Sequence, residues 1–312
     1  MTVHRHAHQA ARHAGDPIGQ AHALTNLGAA HEGLGRLDAA AEHYAQALDL
    51  FRQADDPAGQ ARTLNNIGTG ERLLGRYRMA ADHCRQALTL FRQVGDQTSE
   101  ARTLGNLGYV EWRLGRHGAA AEHYERALTL CLQAGDLVGG AYALTNLGEF
   151  EVWSGRYGPA GDHLRQSLAQ HRRLGTRDGE AWALDSLGAL HTRQGRPTLA
   201  TKHHQQALTI FRETGDRDGE AWALNGLGEA AFADGRPADA ITHHTTAHAI
   251  AADVGERDQQ ARAQSGLGHA CHTLGNPGRA RRHYQHALTL YTELDLPEAD
   301  QVRADLAALG VA

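Results

Sequence analysis

Along residues 61–100, ARTLNNIGTGERLLGRYRMAADHCRQALTLFRQVGDQTSE, apolar side chains recur three and four residues apart in two successive segments broken at Gly75. That spacing places one stripe of each segment on a helix face. In the first segment the stripe holds Leu64, Ile67, Gly68 and Glu71; in the second it holds Ala80, Cys84 and Ala87. Asp56 is a natural N-cap, and Pro57 fits the first helical position, where a missing N–H costs nothing. The pattern predicts one helix from residue 57 to about residue 74, and a second from near residue 78 to just before Gly95. Two helices joined by so short a turn must pack antiparallel.

The same forty positions recur from 21, 101, 141, 181, 221 and 261 without insertion or deletion. A fixed period of this size predicts a solenoid of stacked supersecondary units. Gly35, Gly75, Gly115, Gly155, Gly195, Gly235 and Gly275 mark the turn inside each unit. A second glycine column, from Gly28 and Gly68 through Gly268, lies inside the first helix, where it costs about 1 kcal/mol relative to alanine. Its recurrence predicts close approach of the second helix backbone, and the alanine columns of Ala40 and Ala47 agree. The units are 16–55, 56–95, 96–135, 136–175, 176–215, 216–255 and 256–295. Residues 1–15 align with a second helix, and 296–312 form a lone first helix that caps the stack. A start in mid-unit suggests a segment of a longer protein.

Leu24, Leu27, Gly28, Gly35, Ala40, Tyr44 and Ala47, repeated in every unit with few changes, resemble the tetratricopeptide repeat. Leu24 stands where that family usually has a large aromatic, and the closing proline is absent. The unit is similar to the extended forty-residue type found in scaffold proteins such as the Pins class. The resemblance implies an all-α right-handed superhelix of seven helix pairs with a half repeat at each end. It also implies a concave groove lined by the first helices, which binds protein or peptide segments. More narrowly, the repeat form and the ending YTELDLPEADQVRADL resemble the C-terminal repeat region of large actinobacterial signal-transduction ATPases and antibiotic regulatory proteins. In those, a DNA-binding module and a nucleotide-binding module precede the repeats. That implies a sensor or regulatory role, with the upstream modules of the same chain as partners.

In the second unit the implied groove stripe is Arg62, Asn65, Asn66, Thr69, Arg72 and Leu73. The column of Asn66 holds Asn26, Asn106 and Asn146, then Ser186, Gly226 and Gly266. The resemblance implies that these amides clamp an extended ligand's backbone, since an amide both donates and accepts; they could equally bond locally or to water. The column of Arg62 holds His22, Arg102, Tyr142, Trp182, Trp222 and Arg262. With Trp112, Trp153, Phe150 and Phe232 on or beside the groove, an arginine-lined half would adjoin an aromatic half. Trp, Tyr and Arg are the usual interface anchors; packing between adjacent first helices is the competing role. The candidate ligand-binding residues are thus Asn26, Arg62, Asn66, Arg102, Asn106, Trp112, Tyr142, Asn146, Trp182 and Trp222.

The remaining composition narrows function by exclusion. A net charge of −5 gives no reason to expect direct nucleic-acid or membrane binding. No apolar run reaches membrane-spanning length, and the opening MTVHRHAHQAARHAGD lacks the apolar core of a signal peptide. Cys84, Cys131 and Cys271 have no CxxC spacing and read as buried apolar positions in a reducing, cytoplasmic setting. His43, His83, His123, His163, His203, His243 and His283 recur once per unit. Helix pairs stack about 10 Å apart, so these histidines cannot share one metal ion. His4 and His8, four residues apart, could chelate weakly. No phosphate-binding loop and no catalytic set stands out, so the expectation is a non-catalytic binding protein without cofactor or metal. The alternatives are a stand-alone adaptor or peptide receptor and, further off, an enzyme or metalloprotein.

Overall fold

A computed structural model of the chain describes residues 2–310. The described residues form α1 (Thr2–Ala14), α2 (Pro17–Glu32), α3 (Leu37–Gln53), α4 (Pro57–Leu73), α5 (Tyr77–Val94), α6 (Gln97–Arg113), α7 (His117–Ala134) and α8 (Leu137–Trp153). They continue as α9 (Tyr157–Leu174), α10 (Arg177–Arg193), α11 (Pro197–Thr214), α12 (Arg217–Ala233), α13 (Pro237–Val254), α14 (Arg257–Thr273), α15 (Pro277–Glu293) and α16 (Glu298–Ala308). Among the described residues there is no strand, and no helix is long and apolar enough to cross a membrane. The helices fall into two compact units, one built from α1 to α7 and the other from α8 to α16.

Local chemistry sets the helix ends. The side chains of Asp16, Asp56, Asp96, Asp136 and Asp216 each accept a hydrogen bond from the backbone N–H three residues on, at 2.8–3.0 Å. This satisfies one of the free donors of the first turn. Thr176 and Glu256 hold the same place without a side-chain cap. The chain reverses after each helix through a left-handed residue. Gly75, φ +72°, is typical inside a unit and Gly95, φ +75°, between units, but at two junctions the place passes to Asp55 at φ +51° and Asp295 at φ +57°.

The mid-helix glycines have a different neighbour from the one the sequence suggests. A Cβ on Gly28 would lie 2.5 Å from the Tyr44 ring, one on Gly108 2.8 Å from Tyr124, and one on Gly268 2.5 Å from Tyr284. In the remaining units Cys84, Leu164, His204 and His244 occupy the same place against Gly68, Gly148, Gly188 and Gly228. The glycine therefore makes room chiefly for a buried side chain of the second helix. Backbone approach contributes at Gly68 and Gly148, where Ala80 O and Ala160 O lie 3.3 and 3.4 Å from the added atom.

In the second unit one apolar core runs from Val152 to Ala263, with Leu184, Leu190, Phe211 and Leu224 at its centre. Truncating such a side chain to alanine costs roughly 2–5 kcal/mol. The first unit carries smaller clusters, Leu24 with Phe51 and Leu64 with Phe91. All three cysteines are buried free thiols, and burial pushes Cys84 up to about 12.

The column of His43 is half-buried in every unit. His163 pairs through Nδ1 with Glu151 at 2.8 Å, and His283 with Gln264 at 2.8 Å. His191 and His203 stack on each other, their ring centres 5.3 Å apart. Among the described residues no group of three or more His, Cys, Asp or Glu side chains is placed to hold a metal ion.

Candidate functional site

In the first unit the first helices α2, α4 and α6 present Asn26, Asn66 and Asn106 at equivalent positions. Asn26 is exposed and the other two are half-buried. Asn106 donates from Nδ2 to Asn65 Oδ1 at 3.1 Å and lies 3.5 Å from Thr69 Oγ1. Asn65, expected on the groove stripe, is only 4 % exposed and serves as that internal acceptor. The side chains of Asn26 and Asn66 make no hydrogen bond within the described residues.

Arg62 and Arg102 sit four residues before Asn66 and Asn106, one helical turn away on the same stripe. Both are exposed, and neither meets a carboxylate among the described residues. Arg52, Arg76, Arg85 and Arg92 of the same unit all do. Arg72 lies over the Tyr109 ring, 5.2 Å from its centre, and Tyr109 meets Trp112 edge-on at 5.6 Å. Trp112 itself is 8 % exposed. This face therefore combines two unpaired guanidinium groups with two unpaired amides.

The second unit is built differently. Asn146 is half-buried on α8, with no side-chain hydrogen bond within the described residues. Tyr142 meets His171 edge-on at 4.7 Å. Burial and the neighbouring Asp178 carboxylate raise its phenol above the ordinary tyrosine range. Trp182 packs edge-on against Phe211 at 5.0 Å and against Trp222 at 5.8 Å. Arg262 lies over the Trp222 ring, 5.5 Å from its centre, and donates to Glu229 Oε1 at 2.7 Å. Burial would raise the Glu229 carboxyl, but the Arg262 guanidinium outweighs it and holds the group at about 2. Trp222 is 9 % exposed, so this column is a run of packed side chains from α10 to α14.

The aromatic groups with open surface lie about three turns further along the same helices. Trp153 and Phe232 are each 38 % exposed, and the Arg193 guanidinium lies over the Trp153 ring, 4.2 Å from its centre. Sequence reasoning singled out neither Arg193 nor Glu229. Their signal was register alone: Arg193 falls forty residues after Trp153, in the same column of the next unit.

The tetratricopeptide repeat family models match residues 20–54, 59–133, 141–213 and 214–293. No curated protein sequence matches the chain. Among solved structures, the apo form of RapI is similar with a TM-score of 0.66 and 14 % identity, over 88 % of this chain and 99 % of that one. A Rap protein complexed with competence and sporulation factor has a TM-score of 0.60 at 14 % identity, over 93 % of this chain and 97 % of that one. A signal transduction ATPase with numerous domains and a tetratricopeptide repeat sensor, from Pyrococcus horikoshii, has a TM-score of 0.55 at 16 % identity. That match covers 86 % of this chain and 43 % of the other. At these identities the likeness is one of fold.

Proposed function

This chain belongs to the tetratricopeptide repeat family, and on that premise we propose that it is a non-catalytic scaffold whose first-helix faces bind a protein or peptide segment. The observation that carries this reading is the face of the first unit, where Asn26, Asn66, Arg62 and Arg102 stand without internal partners. Amides in register suit main-chain recognition, and open guanidinium groups suit carboxylates. Asn106 belongs to that same face, and in the second unit Tyr142, Asn146 and Trp182 form a candidate face of their own. Trp112 and Trp222 we assign to packing, since both are buried. The Rap protein complexed with competence and sporulation factor supports this reading through a shared fold. The test is binding of peptides from a random library to the purified chain, compared with an Asn66→Ala, Arg102→Gln, Asn146→Ala triple variant. The variant is expected to lose most of the affinity while melting at the same temperature. Unchanged affinity would remove the reading.

A second reading places the repeats as the sensor of a larger cytoplasmic transcriptional regulator, with nucleotide-binding and DNA-binding modules in the same natural chain. The sensor-bearing ATPase among the structural neighbours supports it. The test is to purify the product of the whole natural gene and assay nucleotide and DNA binding. A product with neither activity would leave the adaptor reading alone.

A further inference from the structure

Arg193 and Trp153 form a contact that the packing of the second unit does not require. Both side chains are exposed. Stacking engages the flat face of the guanidinium and leaves its N–H groups, which point outward in the plane, open to acceptors. Arg156, Arg172, Arg177 and Arg236, also exposed, are each held by a carboxylate. Arg193 has no carboxylate partner among the described residues. Glu229, whose charge it senses, is engaged by Arg262 at 2.7 Å.

We propose that Arg193, held on the Trp153 ring, anchors an Asp or Glu side chain of the bound peptide, with an adjacent apolar residue of that peptide packing on the open part of Trp153. The inference rests on the first-helix binding reading and deepens it. Trp153 lies seven residues after Asn146, on the same stripe of α8, and Arg193 lies eleven residues after Trp182 on α10. Trp153 and Arg193 are the last residues of α8 and α10, so the pair stands at one end of the first-helix face, where a passing segment can present an acidic side chain. A planar guanidinium can grip a carboxylate through two parallel N–H···O bonds. The ring beneath it restricts its rotamers before the ligand arrives, which lowers the ordering cost of binding.

The test takes peptides selected from a random linear library on the intact chain, resynthesised with amidated C termini and titrated by calorimetry. The selected sequences are expected to carry Asp or Glu beside an apolar residue. Arg193→Gln is expected to weaken binding about tenfold or more, Arg193→Lys to recover only part of it, and Trp153→Phe to recover more than Trp153→Ala. Replacing the peptide's acidic residue by its amide should cost the same amount in the wild-type chain and nothing further in Arg193→Gln. Peptides whose affinity is unchanged by Arg193→Gln, yet lost in the Asn66→Ala, Arg102→Gln, Asn146→Ala variant, would overturn this anchor and leave the binding reading in place. Recovery of no binding peptide would overturn the reading itself, and the anchor with it.

Discussion

The imidazole of His204 occupies the space that a side chain on Gly226 would need: a Cβ added there would lie 2.3 Å from the ring. Gly226 stands in the column of Asn26, Asn66, Asn106 and Asn146. Glycine holds this column in the two units that follow a second helix carrying His204 or His244; Ser186, one unit earlier, already departs from asparagine. His244 and Gly266 repeat the relationship, again at 2.3 Å. His204 is fixed by a 2.6 Å contact from Nδ1 to Asp185 Oδ1, and His244 by a 3.0 Å contact to Asn225 Oδ1.

Restoring the column with Gly226→Asn is therefore expected to destabilise the protein by roughly 2 kcal/mol or more, because a rigid, buried ring must move. In a His204→Ala background the same change should cost much less. A double-mutant cycle by urea unfolding measures the coupling. Additive effects would show that the ring does not exclude the side chain.

Acid should loosen the second unit. Burial pushes the His244 imidazole down to about 4, against 6.5 for the free side chain. The unfolded chain then binds the proton more tightly. The stability this group contributes is complete above pH 6.5 and is lost as pH falls from 6.5 towards 4, by about 3 kcal/mol at the limit. His244→Leu, the residue type of the fourth unit, should lower stability at pH 7 and flatten the profile in that window. Stability measured by urea unfolding across the window checks both effects.

Asp178 titrates with the opposite sign. Desolvation and the Asp216 carboxylate, with which it shares a hydrogen bond, raise its pKa above the usual carboxylate range. Its contribution is present below the unfolded value and is lost as pH rises through the folded one. Asp178→Asn keeps a donor for Asp216 without the second charge. It is expected to raise the melting temperature at pH 7 and to change it little near pH 4, which parallel thermal melts would show.

Asp55 offers a stabilising change of another kind. It holds the left-handed turn that Gly15, Gly95, Gly135, Gly175, Gly215 and Gly255 hold elsewhere. A Cβ in that conformation is strained, so Asp55→Gly should stabilise the protein by about 0.5–1 kcal/mol. An unchanged or lower denaturation midpoint would mean that the aspartate side chain compensates locally.

The helices were legible in the sequence because a forty-residue period repeats each signal seven times. Asp56, Pro57 and Gly75 gave the ends of α4 to within a residue. What could not be read was which atoms fill the space beside a small residue. Gly68 implied a close neighbour but not whether backbone or side chain provides it. The site was less legible for a related reason. Column position locates Trp182 and Trp222 on first helices, yet only three-dimensional packing shows Trp222 buried against both Trp182 and Arg262. Arg193 escaped notice because its significance lies in a contact across units and not in any local pattern. Asn65 was placed on the open stripe by helical spacing alone, and its 4 % exposure comes from Asn106 of the following unit.

The polar interior of the second unit bears on how the chain finds its own order. In an array of near-identical repeats, an interface of Ala, Leu and Gly would accept almost any neighbour, and misassembly between repeats is a characteristic failure of such proteins. His204 fits only beside a repeat that carries glycine at the position of Gly226, and its partner Asp185 occurs in that register in one unit alone. His244 carries an equivalent tag through Asn225 and Gln259. A unit carrying Asn or Ser in that column, docked there instead, would set a larger side chain against a buried imidazole. These substitutions thus act as addresses within the array, giving adjacent repeats an identity that their shared consensus lacks.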